Sequence, residues 1–210
     1  MTEKEAKELL QQAIELYEQR DLDNAIEILR KIQYEYSPKQ YARAQFILGL
    51  SLGKKGDSKG EVSAYRNIKR EYSLEWYAKA QVNIGFVLAE QGNIDDAIKT
   101  YDGIERGYNT SAYAMAQFNL GTTLLEKKID EGKCLNEECK KTLEDAKDLY
   151  NKSSITKEEM LNMIARINRL LNKNETIVNP KTGVATYLFI LILIIIISVV
   201  LFKRKKNYIR

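Results

Sequence analysis

The sequence predicts an all-α chain: a solenoid of helical hairpins closed by a capping helix, followed by one C-terminal transmembrane helix. Three observations carry that expectation. One motif recurs every 36 residues, the apolar positions inside each period fall at helical spacing, and a 19-residue run near the C-terminus holds no charge. With 11 Gly and 2 Pro among 210 residues there are few breakers, which suits long helices and argues against a turn-rich β-sandwich.

The repeat is read most directly from three segments: Tyr41-Ala42-Arg43-Ala44-Gln45-Phe46-Ile47-Leu48-Gly49, Tyr77-Ala78-Lys79-Ala80-Gln81-Val82-Asn83-Ile84-Gly85 and Tyr113-Ala114-Met115-Ala116-Gln117-Phe118-Asn119-Leu120-Gly121. Ser37, Ser73 and Asn109 share the register, as do Gly56 with Gly92, Tyr65 with Tyr101, and Ile32, Ile68 and Ile104. An imperfect first copy occupies residues 5 to 36, with Ala13 in the Gly49 place and Leu29 in the Tyr101 place. Within a unit, Tyr77, Gln81, Ile84, Gly85 and Leu88 make one helix, Gly92-Asn93 interrupts it, and Ala97, Ile98, Tyr101 and Ile104 make a second. Ser37, Ser73 and Asn109 are suited to cap the first helix of each hairpin. The small residues let the two helices approach, and a single hairpin cannot bury its apolar face without a stacked neighbour.

These positions resemble the tetratricopeptide repeat (TPR). A small residue follows a Leu-like one (Ile84-Gly85), an Ala comes twelve later (Ala97), then an aromatic (Tyr101) and an apolar residue (Ile104). The chain departs from the family in its 36-residue period, in Gln81 where Trp is favoured, in Glu61 at the Ala place and in lacking a terminal Pro. The resemblance implies four TPR-like units over residues 1 to 153. The fourth contains an insertion between about 129 and 141, because Asp145-Ala146 to Tyr150 repeats Asp96-Ala97 to Tyr101 at a distance of 49. Thr156 and Glu159 form a capping-box pattern opening a helix whose apolar stripe (Met160, Met163, Ile164, Ile167, Leu170, Leu171) suits a capping helix over residues 154 to 172.

A linker, residues 173 to 183, leads into the uncharged run 184 to 202. At 1.5 Å per residue that run spans about 28 Å, close to a bilayer core. The tail 203 to 210 carries Lys203, Arg204, Lys205, Lys206 and Arg210, so the rest of the chain, with 28 bases against 29 acids, is nearly neutral and no nucleic-acid face is expected. Asn179-Pro180-Lys181-Thr182-Gly183 before the run resembles a Gram-positive cell-wall sorting signal, which implies sortase cleavage after Thr182. Topology is pulled both ways. The charged start at Met1 lacks a secretory signal and favours a cytoplasmic array, whereas the basic tail and the pentapeptide favour an array on the cell surface.

With no His in the chain, His catalysis and His metal ligation are excluded. Two cysteines alone cannot close a zinc site, so no metal or cofactor is expected. Cys134 and Cys139 are read either as a short-loop disulfide in an oxidising space or as free surface thiols in a cytoplasm. No enzyme motif stands outside the repeat. The expected function is therefore a membrane-anchored, non-catalytic scaffold binding a protein or peptide. The resemblance places the binding groove on the first helices, at Lys7, Arg43, Phe46, Lys79, Asn83, Phe86, Phe118 and Asn119, with Lys79, Asn83 and Asn119 forming part of a carboxylate clamp. A sortase-processed surface protein and a tail-anchored organelle adaptor are the alternatives.

Overall fold

The computed structural model describes residues 1–152 and 154–173. Among them the chain is all-α, with no strand. The helices are α1 (Glu3–Glu18), α2 (Leu22–Lys31), α3 (Pro38–Lys54), α4 (Ser58–Arg66), α5 (Leu74–Glu90), α6 (Ile94–Asp102), α7 (Thr110–Asp130), α8 (Glu137–Tyr150) and α9 (Lys157–Lys173). They belong to one compact unit, Met1–Asn174. The pentapeptide 179 to 183, the apolar run 184 to 202 and the basic tail lie outside the described residues. No helix among the described residues is long and apolar enough to cross a membrane.

Local chemistry sets the helix ends. Thr2 and Glu5 form a reciprocal capping box at α1, and Asp21, Asp57, Ser73, Asn109 and Asn136 each accept from a backbone N–H in the first turn of their helix. Ser37 departs from the expected role. It stands at the N-cap of α3, but its hydroxyl donates to Glu3 Oε1 at 3.2 Å instead of capping. Gly56 and Gly92 close the first helices at φ +81° and +76°, and Arg20, at the same register position, is held at φ 65° without glycine's freedom.

Packing follows the repeat. α1 pairs with α2, α3 with α4 and α5 with α6, and each first helix also lies against the next first helix. Inside two of the hairpins the contact is unusually close: a Cβ added to Gly49 would lie 2.3 Å from the Tyr65 ring, and one added to Gly85 would lie 2.4 Å from the Tyr101 ring. Both rings are fully buried, each contributing on the order of 2 kcal/mol from apolar burial. Their hydroxyls need partners in that setting. Asn83 Nδ2 donates to the Tyr65 hydroxyl at 2.9 Å, and Asn119 pairs with that of Tyr101. In the first hairpin the equivalent positions are Ala13, Leu29 and Ile47, which share one apolar cluster. Gly-Tyr-Asn in two units and Ala-Leu-Ile in the first are thus two solutions to one packing problem, each internally consistent.

The fourth hairpin is built differently. α7 runs one turn longer than α5, so its positive-φ glycine is Gly132, 40 residues after Gly92. The residue facing Gly121 is Ile167 of α9, 3.1 Å from the position of an added Cβ, and α7 packs extensively on α9. α9 therefore takes the contact that α4 and α6 make in the preceding units, and the 49-residue echo does not carry Tyr150 into the Tyr101 place. The expected assignment of α8 as second helix and α9 as cap is corrected accordingly. α8 instead buries Cys139, Thr142, Ala146 and Leu149 on one face, Lys147 pairs with Glu126 of α7 at 2.6 Å, and Arg166 of α9 pairs with Asp145. The Thr156–Glu159 capping box opens α9 as expected, Thr156 N donating to Glu159 Oε2 at 2.9 Å and Glu159 N to Thr156 Oγ1 at 3.2 Å.

Candidate binding face of α1, α3 and α5

The first-helix residues singled out from the sequence divide into two groups. Arg43, Phe46 and Lys79 come together around Trp76, a residue just outside the recurring segment 77–85. The Arg43 guanidinium lies 5.8 Å and the Lys79 ammonium 4.2 Å from the Trp76 ring centre, and the Phe46 ring packs 5.2 Å from it. Phe46 also leans on Tyr65 at 5.6 Å. These contacts arise because Trp76 sits in the first turn of α5, level with the N-terminal half of α3. The signal available in the sequence was that the chain's single Trp interrupts the repeat where Gln40 and Ala112 stand.

The cations here are poorly matched by acids. Lys79 pairs with Glu75 at 2.7 Å, an exposed i,i+4 pair worth little. Arg43 forms no ion pair among the described residues, and its buried Nε has no hydrogen-bond partner. Lys7, one unit earlier on α1, is exposed and also without an ion pair among them. On the adjoining surface Lys54 sits 3.9 Å over the Tyr17 ring.

The second group is engaged by the fold itself. Asn83 and Asn119 each hold a buried tyrosine hydroxyl, a packing role beside the clamp role that the resemblance implied for them. Burial pushes both the Tyr65 and Tyr101 hydroxyls well above the ordinary phenol range. Phe118 is buried within the cluster formed by α7, α8 and α9. Phe86 is 36% exposed but stacks on Tyr150 at 5.5 Å with nearly parallel rings. Position alone could not show this, because the residues that occupy these groups come from elsewhere in the chain.

Glu61 is an acid embedded in the repeat. It occupies the place of Ala25 and Ala97, and Gly53 makes room for it: a Cβ there would lie 2.6 Å from the carboxyl. Burial raises the Glu61 carboxyl above its ordinary range, a shift opposed by the Tyr65 hydroxyl donating to it at 3.3 Å.

Cys134 and Cys139 are bonded to each other, with Cα atoms 5.9 Å apart, and both are buried against Phe118, Leu125 and Ile167. Of the two alternatives read from the sequence, the structure carries the disulfide, and neither residue lies on the surface. Among the described residues no group of three or more His, Cys, Asp or Glu is placed to hold a metal ion. A cleft of about 550 Å³ between α4 and the α5–α6 turn, lined by Val62, Arg66, Asn93 and Asp96, has a counterpart of about 440 Å³ between α2 and the α3–α4 turn. Its recurrence one repeat apart marks it as the gap left between successive hairpins.

No family model matches the chain, and no curated protein matches it. The functional reading therefore rests on its own residues.

Proposed function

We propose that this chain is a membrane-anchored, non-catalytic scaffold, a TPR-like solenoid that binds a protein or peptide partner through the face of α1, α3 and α5. The observation that carries the reading is the cluster of Arg43, Phe46 and Lys79 around Trp76, where cationic heads and aromatic surface share one face and acids are scarce. Such a mixture suits a peptide backbone with both charged and apolar side chains. The anchor would be residues 184 to 202. A photo-crosslinking residue at Leu50, on α3 beside this face, is expected to capture a discrete protein in cells expressing the full chain, whereas one at Lys99 on α6 is not. Equal capture from both positions would sink the reading.

The Cys134–Cys139 bond favours the second reading, in which the array stands outside the cell and Thr182 is a sortase cleavage site, since protein disulfides persist in oxidising spaces. Mass spectrometry of the chain taken from cells with its thiols trapped is expected to find the bond intact and residues 183 to 210 missing in a Thr182-dependent manner. Reduced cysteines with an intact C-terminus would place the array in the cytoplasm.

A further inference from the structure

Lys7, Arg43 and Lys79 stand at one register position on three successive first helices, and the next helix ends the row with Met115. Only Lys79 has a carboxylate partner among the described residues, the exposed Glu75. Arg43 is the most demanding of the three, because an enclosed Nε without an acceptor forgoes the solvation that a free surface guanidinium keeps. Trp76 fills the gap between Arg43 and Lys79 with a flat apolar surface.

We propose that this row binds an extended acidic peptide segment lying across the helices, with a carboxylate at every third residue. The proposal deepens the scaffold reading above and rests on it. The spacing follows from geometry. Packed helices lie about 8–10 Å apart. A polyproline-II strand advances about 3.1 Å per residue and turns once in three, so one of its faces presents a side chain about every 9 Å. A β-strand presents one about every 7 Å and falls out of step after the second cation. Carboxylates at positions i, i+3 and i+6 therefore meet Lys7, Arg43 and Lys79 in turn, and the residues after the second carboxylate pass over Trp76. Arg43 offers a planar fork to its carboxylate, so its replacement removes more than a unit of charge.

The test is fluorescence anisotropy on the full chain in detergent micelles with peptides of about 12 residues. One carries three Glu at every third position, one has the same composition with the three Glu adjacent, and one has Gln in their place. A single-stranded oligonucleotide serves as a polyanion of a different class. The every-third peptide is expected to bind about fivefold or more tighter than the adjacent one, and Arg43→Gln and Lys7→Gln each to weaken it by about fivefold. Lys99→Gln on α6 should have no effect. Lys7 is exposed, so its variant reports on binding even where Arg43→Gln unfolds the chain. Equal affinity for the two Glu arrangements, retention of the Gln peptide, tighter binding of the oligonucleotide, an unaffected Lys7 variant or no peptide binding at all would each overturn the proposal. The Leu50 crosslink decides the broader reading separately, since a groove that captures a protein while ignoring the spacing of acids refutes this proposal alone.

Discussion

The hairpins α3–α4 and α5–α6 share one glycine–tyrosine contact in the 36-residue register, whereas the segment α7–α9 shares the motif and departs from its packing. In the regular hairpins a glycine receives the ring of a tyrosine sixteen residues later, and an asparagine eighteen residues after the tyrosine satisfies its hydroxyl. Gly121 begins the same pattern, but the insertion delivers Ile167 to it and sends Tyr150 to Phe86. A repeated motif fixes its own helix, while its partner depends on the length of chain between them.

The largest effect expected from this contrast is at the two glycines. Gly85→Ala places a Cβ against a fully enclosed Tyr101 ring and should cost about 1–3 kcal/mol, with Gly85→Leu costing more. Gly121→Ala meets one tight contact, the Cγ2 of Ile167 at 3.1 Å, with its Cβ and Cδ1 at ordinary distance, and a helix-propensity gain of about 1 kcal/mol offsets that contact, leaving little net change. Urea titrations of both variants decide the matter, and equal losses would remove the distinction between the regions. Tyr101→Leu added to Gly85→Ala, copying Ala13 and Leu29, should recover part of the loss.

This contrast also marks what was legible in the sequence. The hairpins were, because the small residues and apolar spacing of residues 41–49, 77–85 and 113–121 encode helix faces locally. The Thr156–Glu159 box was legible for the same reason. The order of α8 and α9 was not, since an echo such as Asp145 to Tyr150 reports helix propensity and a buried face without naming the surface that buries it. Part of the binding face escaped as well. Trp76 breaks the periodicity that drew attention to its neighbours, and the engagement of Asn83, Asn119 and Phe118 depends on groups distant in the chain.

The disulfide belongs to the irregular region, so its removal should loosen that region selectively. Closing so short a loop is worth roughly 2 kcal/mol in the chain-entropy account. Cys134→Ala with Cys139→Ala should lower stability by about that amount, and hydrogen exchange should quicken in α8 and α9 while α1 to α4 stay protected. Loss spread evenly over all helices would mean that the two regions unfold as one. A smaller contribution comes from the ring stack across the regions. A double-mutant cycle with Phe86→Ala and Tyr150→Ala should give a coupling of about 0.5–1.5 kcal/mol, and strict additivity would show that Tyr150 contributes nothing to holding α8.

The smallest effect separates the two regular hairpins from each other. Glu61 with Gly53 stands where the next unit has Ala97 with Ala89, and burial raises the Glu61 carboxyl. A carboxyl raised in the folded chain binds its proton more tightly there than in the unfolded chain, so stability falls as pH rises from the unfolded value, about 4.3, through the raised folded value. Glu61→Gln keeps an acceptor for the Tyr65 hydroxyl and removes the charge. It should raise the melting temperature at pH 7, with a gain within about 1 kcal/mol, and the gain should vanish at pH values below the unfolded carboxyl range. Ala97→Gln in the next hairpin has no glycine opposite to make room for it, so it should destabilise at every pH. A Glu61→Gln gain independent of pH would assign the effect to packing, and a loss at pH 7 would mean that the carboxylate is stabilised by the groups around it.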